Sequence, residues 1–206
     1  MFFHVLAEGL SDIPAVHEIL VRGIGITAGA DFRIYPHKGK GQIPTDIHAP
    51  PRKTDRTLLG QLPAKLRAYG QKGKDHCVVV LVDADKDNCR SLKNSLLNLY
   101  KDITPRPKKV LIRVAVEETE SWFIADTAAV VAAFPTASTQ HLATFPPDSV
   151  VGAWERLAEC IGLDPLKCSG RDKEQWAKQI SPHLDLKNPK SPSLRAFVTG
   201  IKQHLR

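Results

Sequence analysis

The sequence lacks the signals of an exported or membrane-spanning protein. No stretch approaches the roughly 18 consecutive apolar residues that a membrane helix needs. The apolar run of residues 2–7 is not preceded by basic residues, as the core of a secretion signal would be. No internal repeat is found along the 206 residues. We therefore expect a cytoplasmic protein without a membrane partner, built as one domain or as one domain with an appendage.

Cysteine is scarce, and its spacing disfavours two common kinds of site. The four cysteines, Cys77, Cys89, Cys160 and Cys168, include no Cys-x-x-Cys pair, so neither a zinc site nor a redox motif is predicted. A GxxxxGK[ST] loop, which binds nucleotide phosphates, is absent as well. We expect the cysteines to be reduced thiols of a cytoplasmic protein.

Positive charge is in excess. The chain has 29 Lys and Arg residues against 22 Asp and Glu residues, which gives a formal net charge of +7. Its 42% hydrophobic and 25% charged residues are typical of a globular protein. The excess is compatible with nucleic-acid binding, although positive charge is only the first of several criteria for it.

Apolar runs that are typical of strands alternate with helical periodicities over residues 1–134. The predicted strands, each followed by a helical pattern, are residues 2–7, 32–35, 76–82 and 110–116, and the last helix covers residues 117–134. The third strand contains five consecutive apolar residues, 78–82, which is typical of a parallel strand buried on both faces. This order predicts the α/β class, with a mostly parallel four-stranded sheet flanked by helices.

Helical patterns without strands follow in the last third of the chain. They cover residues 150–161, 172–180 and 193–205, after a linker rich in Thr, Pro and Ala. We expect residues 149–206 to form a small helical appendage packed on the α/β domain of residues 1–134.

Carboxylates follow three of the four predicted strands. Glu8 ends the first strand, Asp83 and Asp85 end the third, and Glu117, Glu118 and Glu120 follow the fourth. Ligands of open α/β sheets bind at the carboxyl ends of strands, so these groups are expected at one edge. Crowded carboxylates repel one another, and Mg²⁺ or Mn²⁺ would remove the repulsion with two or three oxygen ligands. Taken singly, each group is also explained as a helix cap or a solvated first turn, and that interpretation stays open.

The order of these motifs resembles a known domain. The Glu8-Gly9 turn and the Asp83-Ala84-Asp85 motif are similar to the Toprim domain of topoisomerases, bacterial primases and the overcoming-lysogenization-defect nucleases. With residues 37–41 (HKGKG), 117–126 (EETESWFIAD) and Lys173 included, the chain resembles an uncharacterised Toprim-like, RloB-like family associated with phage defence. That second resemblance spans nearly the whole chain.

The resemblance implies a Mg²⁺-dependent nuclease that acts on nucleic acid in phage defence or DNA repair, with an ATPase as a candidate partner. It implies that Glu8 is a general acid/base or a metal-linked carboxylate, and that Asp83 and Asp85 hold the metal. Glu117 and Glu120 match an acidic motif that can support a second metal. Asp12 departs from the nuclease pattern, which usually has a second Glu there, so the number of metal ions stays open.

Three lysines are candidates for binding the phosphates of such a substrate. Lys38 and Lys40 are separated by glycines, so both their side chains and their backbone N–H groups can approach a phosphate. Lys173 would reach the site from the helical appendage. A solvated flexible loop and an ordinary surface lysine are simpler interpretations of the same residues.

Two other functions stay open. The first is a non-catalytic module that binds nucleic acid or a partner and has a vestigial acidic site. The second is a phosphatase of the haloacid-dehalogenase type, which also uses an Asp-x-Asp motif. That class has the motif on its first strand, whereas here it follows the third, which disfavours this interpretation.

Overall fold

The computed structural model describes residues 1–149 and 151–205. Within these ranges, parallel strands form a four-stranded sheet in the order β2-β1-β3-β4. The strands are β1 (Phe2–Ala7), β2 (Phe32–Pro36), β3 (His76–Asp83) and β4 (Lys109–Ala115). The predicted α/β class, with a parallel four-stranded sheet flanked by helices, is confirmed.

Helices cover both faces of the sheet. They are α1 (Asp12–Glu18), α2 (Leu58–Tyr69), α3 (Cys89–Asp102), α4 (Glu120–Ile124), α5 (Thr127–Ala133), α6 (Thr139–Leu142), α7 (Ala153–Cys160), α8 (Gly170–Ile180) and α9 (Pro192–Leu205). A π-helical turn (Ile19–Ile24) continues α1, and 3₁₀ turns (Pro165–Lys167 and Ser181–His183) flank α8. None of the helices in the described residues has the length and apolar character needed to span a bilayer.

β3 is the centre of the apolar core. Its residues 78–82 are each at most 1% exposed. One face packs with Leu62 of α2 and Leu99 of α3, and the other packs with Val16 of α1. Burial on both faces explains why this strand consists of consecutive apolar residues instead of an alternating pattern.

The C-terminal helices contribute to the core on the α1 side of the sheet. Trp176 of α8 and Phe197 of α9 belong to the same buried cluster as Phe3 and Val5 of β1. In addition, the indole N–H of Trp122 in α4 donates to the hydroxyl of Ser193 at 2.7 Å. The division into a domain of residues 1–134 and an appendage of residues 149–206 stays a prediction.

The helix predicted over residues 117–134 is two helices, α4 and α5. Asp126 separates them, because its Oδ1 accepts the N–H of Ala129 at 3.2 Å and thereby caps α5. Its Oδ2 accepts the N–H of Asp185 at 2.8 Å. The helix predicted over residues 150–161 begins at Ala153, while its first predicted residue, Val150, lies outside the described residues, as does Arg206 at the end of the predicted appendage.

The register of the strands brings their carboxyl ends to one edge. Leu6 of β1 pairs with Val80 of β3, and Asp83 at the end of β3 pairs with Ala115 at the end of β4. The turns that leave β1, β3 and β4 are therefore neighbours, and they contain the acidic residues singled out from the sequence.

Candidate functional site

The turn after β1 is bonded to the end of β3. Glu8 follows β1, and its Oε2 accepts the backbone N–H of Asp83 at 3.3 Å. The N–H of Gly9 donates to Oδ2 of Asp12 at 2.8 Å, which fixes the turn into α1. Glu8, Asp12 and Asp83 are thus brought together at the carboxyl edge of the sheet.

The turn after β4 adds a fourth carboxylate. The hydroxyl of Thr119 donates to Oδ1 of Asp12 at 3.0 Å and lies 3.4 Å from Oε2 of Glu120. Asp12 and Glu120 are each 2% exposed, so this contact lies inside the protein. We refer to Glu8, Asp12, Asp83 and Glu120 as the acidic cluster.

Burial and mutual repulsion raise the pKa values of the acidic cluster. Burial, aided by the charges of Asp85 and Asp12, raises the pKa of Glu8 to about 7 against the opposing effect of a backbone N–H. Burial and the charges of Asp12 and Glu8 raise the pKa of Asp83 well above its usual range. Burial also raises the pKa values of Asp12 and Glu120. Such a group of carboxylates either retains protons near neutral pH or attracts a cation.

Lys173 of α8 supplies one cation. Its Nζ lies 3.3 Å from Oε1 of Glu118 and 3.4 Å from Oε1 of Glu120. Burial lowers the pKa of Lys173, but the charges of Glu120 and Glu118 outweigh burial and raise the pKa above its usual value. The ammonium also lies 5.6 Å from the centre of the Trp154 ring. The structure therefore places Lys173 beside the acidic cluster, although it is distant in sequence from the residues of that cluster.

Lys40 supplies a second cation, at the turn after β3. Its Nζ is surrounded by four oxygens: Oδ2 of Asp85 at 2.5 Å, Oδ2 of Asp87 at 2.8 Å, and the carbonyl oxygens of Ala84 at 3.1 Å and Asp83 at 3.3 Å. The side chain of Lys40 is 16% exposed, whereas that of Asp85 is 43% exposed. Lys40 thus lies between the buried Asp83 and the solvent.

Lys38, the other lysine predicted in this loop, lies elsewhere. Its backbone N–H donates to the carbonyl oxygen of Arg56 at 2.9 Å. The side chain is exposed and forms no ion pair within the described residues. Lys38 is therefore close to Lys40 in sequence but is not among the contacts of the acidic residues.

Glu117 is directed away from the acidic cluster. Its two carboxylate oxygens accept the N–H groups of Gly152 and of Ala153, the latter at 2.9 Å, at the beginning of α7. Negative charge is favourable there because the first N–H groups of a helix have no partners within the helix. Of the two glutamates predicted after β4, the structure thus places Glu120 in the acidic cluster and Glu117 at a helix end.

The turns after β3 and β4 have unusual backbone conformations. Asp85 and Glu117 have φ values of 48° and 61°, in the left-handed region. The N–H of Asp85 donates to the carbonyl oxygen of Glu117 at 2.8 Å, which joins the two turns. Left-handed conformations of residues other than glycine are costly and persist where surrounding contacts impose them, often at functional sites.

Sequence reasoning did not include three polar residues of this site among the candidates. Asp12 had a signal, because it completes the Glu-Gly-x-x-Asp pattern that begins at Glu8. Glu118 had one as well, because it belongs to the same acidic run as Glu117 and Glu120, whereas Thr119 had none beyond its position after β4. Within the described residues, no group of three or more His, Cys, Asp or Glu side chains is arranged to hold a metal ion as it stands.

A cavity of about 580 Å³ lies at the opposite end of the sheet. Phe2, His4 and His76 line it, close to the beginning of β1 and β3. A strand of six residues such as β1 spans about 20 Å, so this cavity is separate from the acidic cluster. Its size therefore says nothing about the chemistry of the cluster.

Comparisons with known proteins give a family and a fold. The family model described as "Domain of unknown function (DUF4276)" matches residues 8–202. No protein of curated function matches the sequence. The fold is similar to the C-terminal region of the Burkholderia pseudomallei OLD protein, with a TM-score of 0.55, 13% identity, and coverage of 99% of this chain and 98% of that one.

The same region of the Xanthomonas campestris pv. campestris OLD protein gives a TM-score of 0.50 and 14% identity. That comparison covers 98% of this chain and 94% of the other. Identities this low establish a shared fold and leave function to be argued from the site.

Proposed function

Because the chain belongs to the DUF4276 family, whose description assigns no activity, we propose a function from the geometry of its site. The protein is a Toprim-like nuclease that hydrolyses phosphodiester bonds of nucleic acid with the aid of Mg²⁺ or Mn²⁺. One observation carries this proposal: turns from three strands bring four carboxylates together at the carboxyl edge of a parallel sheet, and three of them, those of Asp12, Asp83 and Glu120, are buried. Burying that much like charge lowers stability, so a role in chemistry is the reason to keep it.

The chemistry of the site fits a hard divalent cation. The donors are carboxylate and carbonyl oxygens, which Mg²⁺ prefers. The four oxygens around the Lys40 ammonium indicate that the turn after β3 already accommodates a positive charge. Asp83 and Asp85 would hold the metal, with Glu8 as a further ligand or as the general acid/base, and Glu120 belongs to the acidic motif that can support a second ion. Glu117 would join them only if it left the N–H groups of α7.

Each side chain has a task in such a reaction. A bound divalent cation supplies charge relief on the phosphate and orients a water molecule. Glu8, with its pKa raised to about 7, is suited to accept a proton from that water or to return one to the leaving group, since catalytic acids and bases work best near ambient pH. Lys38 and Lys40, together with Lys173, offset the charge of the substrate.

The biological setting follows from the sequence resemblance alone. It comprises action in phage defence or DNA repair in the cytoplasm, with an ATPase as partner protein. The net charge of +7 supports contact with nucleic acid, because phosphate contacts by Lys and Arg dominate such binding.

A non-catalytic binding module is the second candidate function. It is favoured by the ion pairs of Lys173 and Lys40, which already neutralise part of the acidic charge. In that case the carboxylates would be structural, and the protein would bind nucleic acid without cleaving it.

Cleavage assays separate the two candidates. Plasmid DNA and single-stranded RNA are incubated with the protein and Mg²⁺ or Mn²⁺, with chelator as the blank. We expect cleavage that falls by about 10²–10⁴-fold in Glu8→Gln and is lost in Asp83→Asn. Glu159→Gln, an equal change on the exposed face of α7, should cleave like the wild type.

Loss of activity must not reflect unfolding. Both site variants should melt at or above the temperature of the wild type, because each removes a repelling charge from the acidic cluster. Binding of nucleic acid by the wild type without any cleavage, unchanged in Glu8→Gln and Asp83→Asn, would instead establish the non-catalytic module.

A further inference from the structure

The Lys40 ammonium has the surroundings of a bound cation. Four oxygens lie within 3.3 Å of its Nζ, two from carboxylates and two from backbone carbonyls. An ammonium has only three hydrogens to donate, so the oxygens outnumber its donors. The turn from residue 83 to 87 thus converges its oxygens on one point, and the side chain of Lys40 occupies that point.

The backbone beside Lys40 is held by hydrogen bonds to α2. If another cation is to replace the ammonium among the four oxygens, the side chain of Lys40 has to move and the backbone does not. The carbonyl oxygen of Gly39 accepts the N–H of Leu58 at 2.9 Å, and that of Lys40 accepts the N–H of Leu59 at 2.8 Å. These donors belong to the beginning of α2, which is packed in the core. The four-carbon stem of Lys40 is flexible and is flanked by glycines, which have no side chain to obstruct its movement.

We propose that Lys40 is a resident counter-ion of the turn after β3, which a divalent cation displaces from Asp85 when it binds. The inference rests on the proposed function, since it specifies how metal loading at that site is regulated. Asp85 is the shared partner, because its Oδ2 lies 2.5 Å from Nζ of Lys40 and it is a predicted metal ligand. An ammonium and a divalent ion repel each other, so contact of both with this one oxygen is unfavourable.

Displacement would make the ammonium of Lys40 available for binding a phosphate of the substrate. Once released, its ammonium remains tethered within a side chain's length of the metal site, where the phosphate of a substrate would be bound. Metal binding and phosphate binding would thus be coupled through one lysine, and the acidic turn would have its charge balanced at every stage.

The test measures metal binding directly. Mn²⁺ affinity is determined by calorimetry for the wild type, Lys40→Met and Lys40→Gln, with urea unfolding to verify that each variant is folded. Removal of the competing ammonium should tighten Mn²⁺ binding by about tenfold, the usual size of such a coupling. Lys86→Met removes the same charge from the same turn, but Lys86 is exposed and forms no ion pair within the described residues, so its affinity should change by much less.

A second measurement follows Lys40 itself. The rate at which acetic anhydride acetylates Lys40, measured by mass spectrometry of peptides, should rise when Mn²⁺ is added, while that of Lys86 should not. Equal Mn²⁺ affinities in the wild type and both Lys40 variants would overturn the counter-ion and leave the metal-dependent nuclease standing. Absence of Mn²⁺ binding in all of them would overturn the nuclease proposal as well.

Discussion

Lys173 is the residue that balances part of the buried charge of the acidic cluster. Its ammonium is shared between Glu118 and Glu120, of which Glu120 is 2% exposed. Removing these charges from water costs free energy. The attraction between the ammonium and the carboxylates offsets that cost only while the opposite charges are all present. Removal of the lysine therefore leaves buried negative charge without compensation.

Lys173→Met is expected to destabilise the protein by about 3 kcal/mol, the usual cost of leaving a buried charge unpaired. Urea unfolding measures this difference. Lys178→Met, which breaks an exposed pair with Glu174 on the same helix, should cost less than about 1 kcal/mol.

Adding Glu120→Gln to Lys173→Met should restore most of the lost stability, because it removes the more deeply buried of the two carboxylates that Lys173→Met leaves unpaired. If the double variant is as unstable as Lys173→Met alone, packing of the lysine stem accounts for the loss instead of charge.

The sequence predicted the place of some residues of the site but not of others. Glu8 and Asp83 were predictable because each directly follows an apolar strand, and parallel strands end at one edge. The contact of Lys173 with the acidic residues was a weaker prediction, because it depends on the packing of α8 beside α1, which no local pattern specifies. The side chain of Glu117 reaches α7 from a residue with a left-handed backbone conformation. No local sequence pattern predicts that conformation.

At the scale of elements, the break between α4 and α5 shows how one side chain overrides periodicity. The apolar spacing of residues 117–134 continues through Asp126 and predicts one helix. Asp126 ends that continuity because its carboxylate bonds backbone N–H groups of α5 and of the segment before α9. Short polar side chains compete with helical hydrogen bonds in this way. The spacing of apolar residues does not reveal such a break in a helix.

Asp126→Ala is expected to destabilise the protein by about 1–2 kcal/mol, because it removes an N-cap and leaves the N–H groups of Ala129 and Asp185 without a partner. Thermal unfolding followed by circular dichroism measures the loss. Asp126→Asn retains one carbonyl acceptor for the cap of α5 and should lose less. Equal losses in the two variants would contradict a role through the cap.

At the scale of the molecule, the C-terminal helices and the sheet share apolar contacts. Phe197 of α9 and Trp176 of α8 lie in one cluster with Phe3 of β1. The sequence predicted the sheet because its strands are local patterns, whereas the sharing of a core depends on packing between segments far apart in the chain. Such packing is expected to make the parts unfold together.

Phe197→Ala should therefore lower the stability of the whole chain by about 3–5 kcal/mol, since it opens a cavity in that cluster. Unfolding in urea is followed by far-ultraviolet circular dichroism, which reports on all helices, and by the fluorescence of Trp122, Trp154 and Trp176. Both signals should shift to lower urea together. A variant in which tryptophan fluorescence changes while most of the helical signal persists would contradict a shared core.

The hydrogen bonds that hold Lys40 to α2 have a consequence for the long loop of residues 41–57. Lys38 bonds to Arg56, and Gly39 and Lys40 bond to the first residues of α2, so the loop departs and returns at nearly the same place. Lengthening a loop whose ends are already joined costs little entropy. We therefore expect that residues can be inserted into this loop without moving Lys40 from its place beside the acidic turn.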